Sequence, residues 1–257
     1  MGLIVRFSEP RSPTPQYGIV DDDRVAVIEP HPFTLHRRTG RTVPLDAVRL
    51  LAPVLPSKVV GVGRNYVDHA SEMGGDVPAE PLLFLKPSTA VIGPYDVIRY
   101  PTDLTSEVHY EGELAVVVGR LVSQVTPDQA RDAVYGFTCG NDVTARDLQR
   151  SEPQWTRAKG FDTFCPLGPA ISTDLDPFDA RVRTYLDGEL KQEASTAAMA
   201  FDALRLVSYA SQVMTLLPGD VILTGTPAGV GPLQPGQTVR VEIEGIGALE
   251  NRVEVRS

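Results

Sequence analysis

Cysteine is nearly absent from this sequence, with two residues, Cys139 and Cys165, in 257. Neither has partners at metal-ligand spacing. That argues against a secreted disulfide framework and a structural zinc site, and fits a reducing cytoplasm. No apolar run is long enough to cross a bilayer, and the opening MGLIVRF is too short and too quickly charged for a signal peptide. No long basic run exists either: 24 Lys and Arg stand against 33 Asp and Glu, a net charge of −9. Such a surface disfavours nucleic acid and anionic membrane as partners. An anionic substrate would need a metal, Arg or Lys to reverse the charge locally. Histidine is scarce as well, with four residues.

Glycine and proline are plentiful, 22 of each, and scattered, which predicts many turns between short strands. Residues 1–54 read as a small α+β domain. Leu3–Phe7, Tyr17–Val20 and Arg24–Ile28 have strand patterns, and LDAVRLL after Pro44 has a short helical one. The PVLP stretch reads as a linker, which sets a boundary at residue 55 and leaves 55–257 as the catalytic domain. There, Lys58–Val62, Leu82–Leu85, Leu114–Val118, Thr238–Ile243 and Glu250–Val255 have strand character. Asp187-Gly188 between Val182–Leu186 and Glu189–Gln192 predicts a type I′ hairpin. Thr126-Pro127 opens one helix, and the apolar spacing from Phe201 to Leu217 predicts another that stops at Pro218-Gly219. Many strands with few helices argue for a mixed, β-rich fold.

YEGELAVVVG carries the first chemical signal. On a strand, Glu111 and Glu113 face the same side. Adjacent like charges call for a cation or a shared proton, and Mg²⁺ or Mn²⁺ prefers carboxylate oxygens. Asp142, at the end of YGFTCGND, can supply a third ligand. Glu-x-Glu alone also describes an exposed edge strand, but the apolar run after it demands burial. In GVGRNYVDHASEMG, His69 and Glu72 are neighbours if helical, so Glu72 can hold one imidazole nitrogen and leave the other as a base. A solvated surface pair has the same spacing. Lys159, in RAKGFDTFCPLGP, is either an anion contact or a loop lysine. LTGTPAGVGP, residues 223–232, is either a carboxylate cradle or a plain turn.

Taken together, GRNYVDHASEMG, FLKPSTAVIGP, HYEGELAVVVG, GNDVTARDLQ, AKGFDTFCPLGP and LTGTPAGVGP resemble, in order, the fumarylacetoacetate hydrolase family, short bacterial type. The resemblance implies a mixed β-sandwich roll over residues 55–257 with a few short helices, and a homodimer. It assigns Glu111, Glu113 and Asp142 to Mg²⁺ or Mn²⁺. It makes His69 and Glu72 a catalytic dyad on a mobile segment and Lys159 a substrate and enolate contact. Arg64, Asn65, Arg146, Gln149 and Thr226 become substrate-binding residues. Lys86 and Ser88 match the pattern, where a structural role is equally open. His109 stands where many relatives carry Asp. The implied activity is hydrolysis of a C–C bond in a 2,4-dioxo acid of acylpyruvate or fumarylpyruvate type, through a pyruvate enolate. The same motifs serve 2-hydroxyhepta-2,4-diene-1,7-dioate isomerases and oxaloacetate decarboxylases, and a silent metabolite-binding protein is the non-enzymatic alternative.

Overall fold

The computed structural model describes residues 2–10, 12–72 and 74–256. A large sheet of twelve strands runs through the molecule. Its path is Arg37–Pro44, Arg24–Glu29, Ser12–Asp21, Leu3–Glu9, Cys165–Ser172, Val134–Asn141, Gly112–Val118, Val221–Leu223, Val59–Gly63 and Leu82–Lys86. Arg49–Leu51 and Val91–Ile92 attach beside it. A five-stranded sheet built on Arg181–Leu186, Glu189–Ser195, Thr238–Ile243 and Gly247–Val255 packs on its face, making the sandwich that the family resemblance implies.

The strand Gly112–Val118 is buried along its whole length, because both of its faces are covered. Leu114, Val116 and Val118 pack with Val182, Val241 and Ile243 of the second sheet and with Leu206, Val207 and Ala210 of the helix Ala203–Val213. Ala115 and Val117 point the other way, against Val59, Leu167 and Val221. Glu113 shares the parity of this second face.

The N-terminal unit is more β-rich than its sequence suggests. LDAVRLL forms a single 3₁₀ turn, Leu45–Ala47, and then the strand Arg49–Leu51, which pairs with Leu3–Glu9. Seven residues cannot offset the cost of nucleating an isolated helix, whereas the strand gains ladder partners at once. Arg37–Pro44 is also a strand. Its RRTGRTVP sequence carries none of the usual pattern because it forms a charged sheet edge. Leu3 and Ile4 pair with Ser172 and Ile171, so the first 54 residues share the main sheet with the rest of the chain. The boundary at residue 55 remains a proposal about folding units.

The predicted hairpin turns at Asp187 and Gly188, both with positive φ (50° and 84°), as a type I′ turn requires. The predicted helix from Phe201 to Leu217 is shorter, Ala203–Val213, with the Asp202 side chain capping the Arg205 N–H. Leu216 instead exchanges backbone hydrogen bonds with Val122, which draws the chain out of the helix. Among the described residues no helix is long and apolar enough to cross a membrane.

Candidate active site

Three carboxylates meet where the main sheet changes direction. The segment Val108–Tyr110 belongs to a small separate sheet and Gly112–Val118 to the large one, so Glu111 is the joint between them. Two backbone ties fix that joint: Glu111 N–H donates to Asn141 Oδ1 at 3.0 Å, and Asp142 N–H donates to Glu111 C=O at 2.8 Å. Gly112 is required next, since a Cβ there would lie 1.9 Å from Thr184 Oγ1. Glu111, Glu113 and Asp142 are all buried, and each offers an oxygen within 4.8 Å of the others.

Three buried cations surround them. Lys159, at the end of the short helix Thr156–Lys159, donates to Glu111 at 2.7 Å and to Asp142 at 2.6 Å. Arg146 donates to Glu111 at 2.5 Å and also holds Gln149. Lys86, 1% exposed, donates to Asp142 Oδ1 at 2.5 Å and to the Val143 carbonyl. The titrations follow from this placement. Burial raises the Glu111 carboxyl, but Lys159 and Arg146 outweigh burial and hold it well below the carboxylate range. Burial works against the Lys159 ammonium, and Asp142 and Glu111 more than offset it. Glu113 has the weakest support. Burial, then Asp142 and Glu111, push its carboxyl well above its ordinary value, opposed by the Lys159 charge and then by the Gly225 N–H at 2.7 Å.

This donor set fits a hard divalent cation: it is all oxygen, clustered, and strained by like-charge repulsion that a cation would relieve. Glu111, Glu113 and Asp142 would hold it.

A cavity of about 310 Å³ opens over Glu111 and Glu113, and His69 lines it. His69 sits on the helix Val67–Glu72, and its Nδ1 lies 3.1 Å from Glu72 Oε2. A carboxylate only accepts, so Nδ1 is the nitrogen that donates to Glu72, which leaves Nε2 as the one that can take up a proton. Glu72 is itself held by the Gly229 N–H at 3.0 Å. That glycine has φ +98°, and a Cβ there would meet the Lys191 carbonyl at 2.2 Å. The LTGTPAGVGP loop is therefore a clamp with two jobs, one N–H on Glu113 and another on Glu72. Among the residues expected at the site, Arg64, Arg146, Gln149, Lys159 and Thr226 all line this cavity. Thr226 Oγ1 is held between Gln192 and the Gly112 carbonyl.

Asn65 is not brought to the cavity. It is fully buried, its amide donates to the Phe201 and Thr224 carbonyls, and its oxygen accepts from the Phe201 N–H. Its role is to tie the 223–232 loop to the segment before the helix Ala203–Val213, and this corrects its assignment as a substrate contact. Asp142 belongs to the carboxylate cluster but does not line the cavity wall. Neither the apolar wall, Phe84 packed edge-on against Trp155 with ring centroids 5.6 Å apart, nor Arg150 in the cavity lining is foreseen from the motifs.

Comparison with known proteins adds to this geometry. Residues 58–254 match the family described as Fumarylacetoacetate (FAA) hydrolase C-terminal, and residues 3–53 match the one described as Rv2993c-like, N-terminal. The structure of 2-hydroxyhepta-2,4-diene-1,7-dioate isomerase from Mycobacterium marinum superposes with a TM-score of 0.91 at 50% identity, over 100% of this chain and 99% of that one. Maleylpyruvate hydrolase from Sphingobium sp. SYK-6, in complex with manganese(II) and pyruvate, superposes with a TM-score of 0.82 at 28% identity, over 99% and 100%. The mitochondrial oxaloacetate tautomerase FAHD2B of Bos taurus is 45% identical over 224 residues, 82% of this chain and 71% of that protein.

Proposed function

The chain belongs to the fumarylacetoacetate hydrolase family, and on that premise we propose that it is a Mg²⁺- or Mn²⁺-dependent enzyme that moves a proton at the carbon beside the keto group of a 2-oxo acid. The observation that carries this reading is an imidazole, oriented by Glu72, lining the same cavity as a buried carboxylate cluster. When bound, a divalent cation supplies Lewis-acid polarisation of the substrate's oxygens.

The chain's own residues supply the rest. His69 Nε2 removes a proton from the carbon next to the carbonyl; the C–H pair becomes the C=C bond and the carbonyl pair moves onto oxygen. Glu72 accepts from Nδ1–H throughout, which stabilises the imidazolium that forms. The Lys159 ammonium and the Arg146 guanidinium keep Glu111 charged and add positive potential to the cavity floor, where the enolate charge develops. The Phe84–Trp155 wall shields one side from water. Proton return to oxygen completes a tautomerisation, and return at the far end of a conjugated diene completes an isomerisation. Resemblance to an isomerase at 50% identity and a tautomerase at 45% supports this outcome.

C–C hydrolysis of a 2,4-dioxo acid, the outcome the motifs put first, is the second reading. The maleylpyruvate hydrolase relative favours it. There His69 takes its proton from water, and hydroxide adds to the 4-carbonyl carbon. The C3–C4 bond breaks, its pair passes to the enolate of pyruvate, and a proton completes pyruvate. A homodimer, implied by the family resemblance, is part of this proposal, to be read by sedimentation velocity. The deciding experiment is a panel with Mg²⁺ or Mn²⁺: enol oxaloacetate, 2-hydroxyhepta-2,4-diene-1,7-dioate, acetylpyruvate and fumarylpyruvate. Turnover of the first two supports proton transfer. Release of pyruvate from the last two supports hydrolysis, and turnover of none refutes both.

A further inference from the structure

Two buried polar atoms behind the cavity floor are left without a partner. Among the described residues, His109 Nδ1 and Arg146 Nε are buried and make no hydrogen bond. Leaving one such group unpaired costs about 1–3 kcal/mol, so each needs an explanation. The two belong to neighbouring side chains. Arg146 spans the chain on either side of His109: its backbone N–H donates to the Glu107 carbonyl at 2.7 Å, and its guanidinium donates to the Glu111 carboxylate at 2.5 Å. Backbone pairing sets them side by side, with His109 opposite Thr144 and Val108 opposite Ala145, the residues just before Arg146. The charges that bear on the imidazole are accordingly those of Arg146, Glu107 and Glu111.

The two atoms are also complementary. His109 Nε2 lies 3.2 Å from Glu107 Oε1, and a carboxylate only accepts, so Nε2 is the nitrogen that donates. A second proton on Nδ1 would put two cations together in a buried place, so Nδ1 remains an acceptor. Arg146 Nε–H can only donate, and the other guanidinium nitrogens are already engaged, Nη1 by Gln149 and Nη2 by Glu111. A water held inside a protein needs at least two polar partners, and this pair supplies a donor and an acceptor. We propose that one buried water joins Arg146 Nε–H to His109 Nδ1, which makes His109 a positioning residue for Arg146. The contacts then run from Arg150 through Glu107, His109 and the water to Arg146 and Glu111. His109 does not line the cavity, so it acts on the site through Arg146, which does. The inference rests on the placement of these side chains and not on the proposed reaction, so its test does not use turnover.

The test is ¹⁵N NMR of the Mg²⁺-loaded protein, which observes arginine Nε–H groups and histidine ring nitrogens directly. The chain has four histidines, so the signal lost in a variant identifies His109. Wild type should show His109 as the neutral Nε2–H tautomer and Arg146 Nε–H protected from exchange with solvent. Two variants then separate the two sides of the ring. Asparagine sets an oxygen near the place of Nδ1. Glutamine sets its amide near the place of Nε2 and offers nothing on the Nδ1 side. His109→Asn should therefore keep the Arg146 Nε–H exchange rate within about 3-fold of wild type, whereas His109→Gln should raise it about 5- to 10-fold, the loss of one ordinary hydrogen bond. Mn²⁺ affinity, read by calorimetry, should fall in His109→Gln and be rescued in His109→Asn, because Arg146 holds the ligand Glu111. An Nδ1–H tautomer or a doubly protonated ring in wild type overturns the inference, and that reading needs no variant to fold. So does a His109→Gln protein with unchanged Arg146 exchange, or a His109→Asn protein that exchanges as fast as His109→Gln.

Discussion

Glu72→Gln isolates the orientation of the base from everything else at the site. Glu72 presently accepts from two donors, His69 Nδ1–H at 3.1 Å and the Gly229 N–H at 3.0 Å. Glutamine keeps the shape but has one accepting oxygen in place of two. If that oxygen stays on Gly229, the amide N–H₂ faces His69, whose Nδ1 must then accept. The imidazole proton moves to Nε2, and the nitrogen over the substrate becomes a donor. If the oxygen stays on His69, the Gly229 clamp is lost and the imidazolium still lacks a negative neighbour. The lost term is a charge-assisted hydrogen bond, about 1.5–3 kcal/mol, which corresponds to a fall of about 10- to 100-fold in kcat. The side chain of Glu72 is 34% exposed, so solvent screening favours the lower half of that range. Steady-state kinetics beside Mn²⁺ calorimetry reads it, and metal affinity should not change, because Glu72 is outside the carboxylate cluster. Wild-type kcat in this variant would refute the oriented-base argument, and loss of the metal would refute the separation of dyad from cluster.

Further outcomes follow from the same geometry. Burial and like charges raise the Glu113 carboxyl above its ordinary 4.5, so its stabilising contribution is complete below that value and is lost as pH rises through the raised one. Metal-stripped protein should therefore lose thermal stability as pH rises above the ordinary carboxylate range, and Mg²⁺ or Mn²⁺ should restore it; a melting midpoint equally pH-dependent in Glu113→Gln would contradict this. Lys86→Met leaves Asp142 with one cation in place of two, and removing one partner of a buried pair costs about 3–5 kcal/mol. Chemical denaturation checks that figure, and a change below about 1 kcal/mol would show that the buried pair is not needed. Gly225→Ala puts a Cβ 2.7 Å from Asn65 Cβ at φ +95° and displaces the N–H that holds Glu113. It should weaken Mn²⁺ binding in calorimetry, and unchanged affinity would mean that this N–H does not position the ligand.

What was legible in the sequence divides along a physical line. Glu111 and Glu113 stood out because two carboxylates beside a run of valines are costly without a reason, and His69–Glu72 because helical spacing makes them touch. Their ties to the loop 223–232 were not legible as contacts. Gly225 and Gly229 reach Glu113 and Glu72 from more than a hundred residues away, and a Pro/Gly turn carries no sign of what its N–H groups face. Lys86 was similar. It matches the family pattern with a structural role left open, and only the fold shows it buried on Asp142. Asn65 went the other way, since the family resemblance implied a ligand contact while both of its amide donors and its oxygen are engaged by backbone. Phe84 and Trp155 come from an edge strand and an irregular loop, where no periodicity reveals a shared wall.

The central claim is that His69 takes a proton from carbon next to a keto group over a cation held by Glu111, Glu113 and Asp142. Proton NMR in deuterated buffer tests it directly, by following exchange of the C3 protons of pyruvate with wild type, His69→Ala and Glu113→Ala, each with and without Mn²⁺ affinity measured in parallel. The account predicts metal-dependent exchange in wild type. His69→Ala should bind the metal normally and lose exchange by about 10²- to 10⁴-fold, while Glu113→Ala loses both. Exchange at the buffer rate in metal-loaded wild type, or full exchange in His69→Ala, would contradict it.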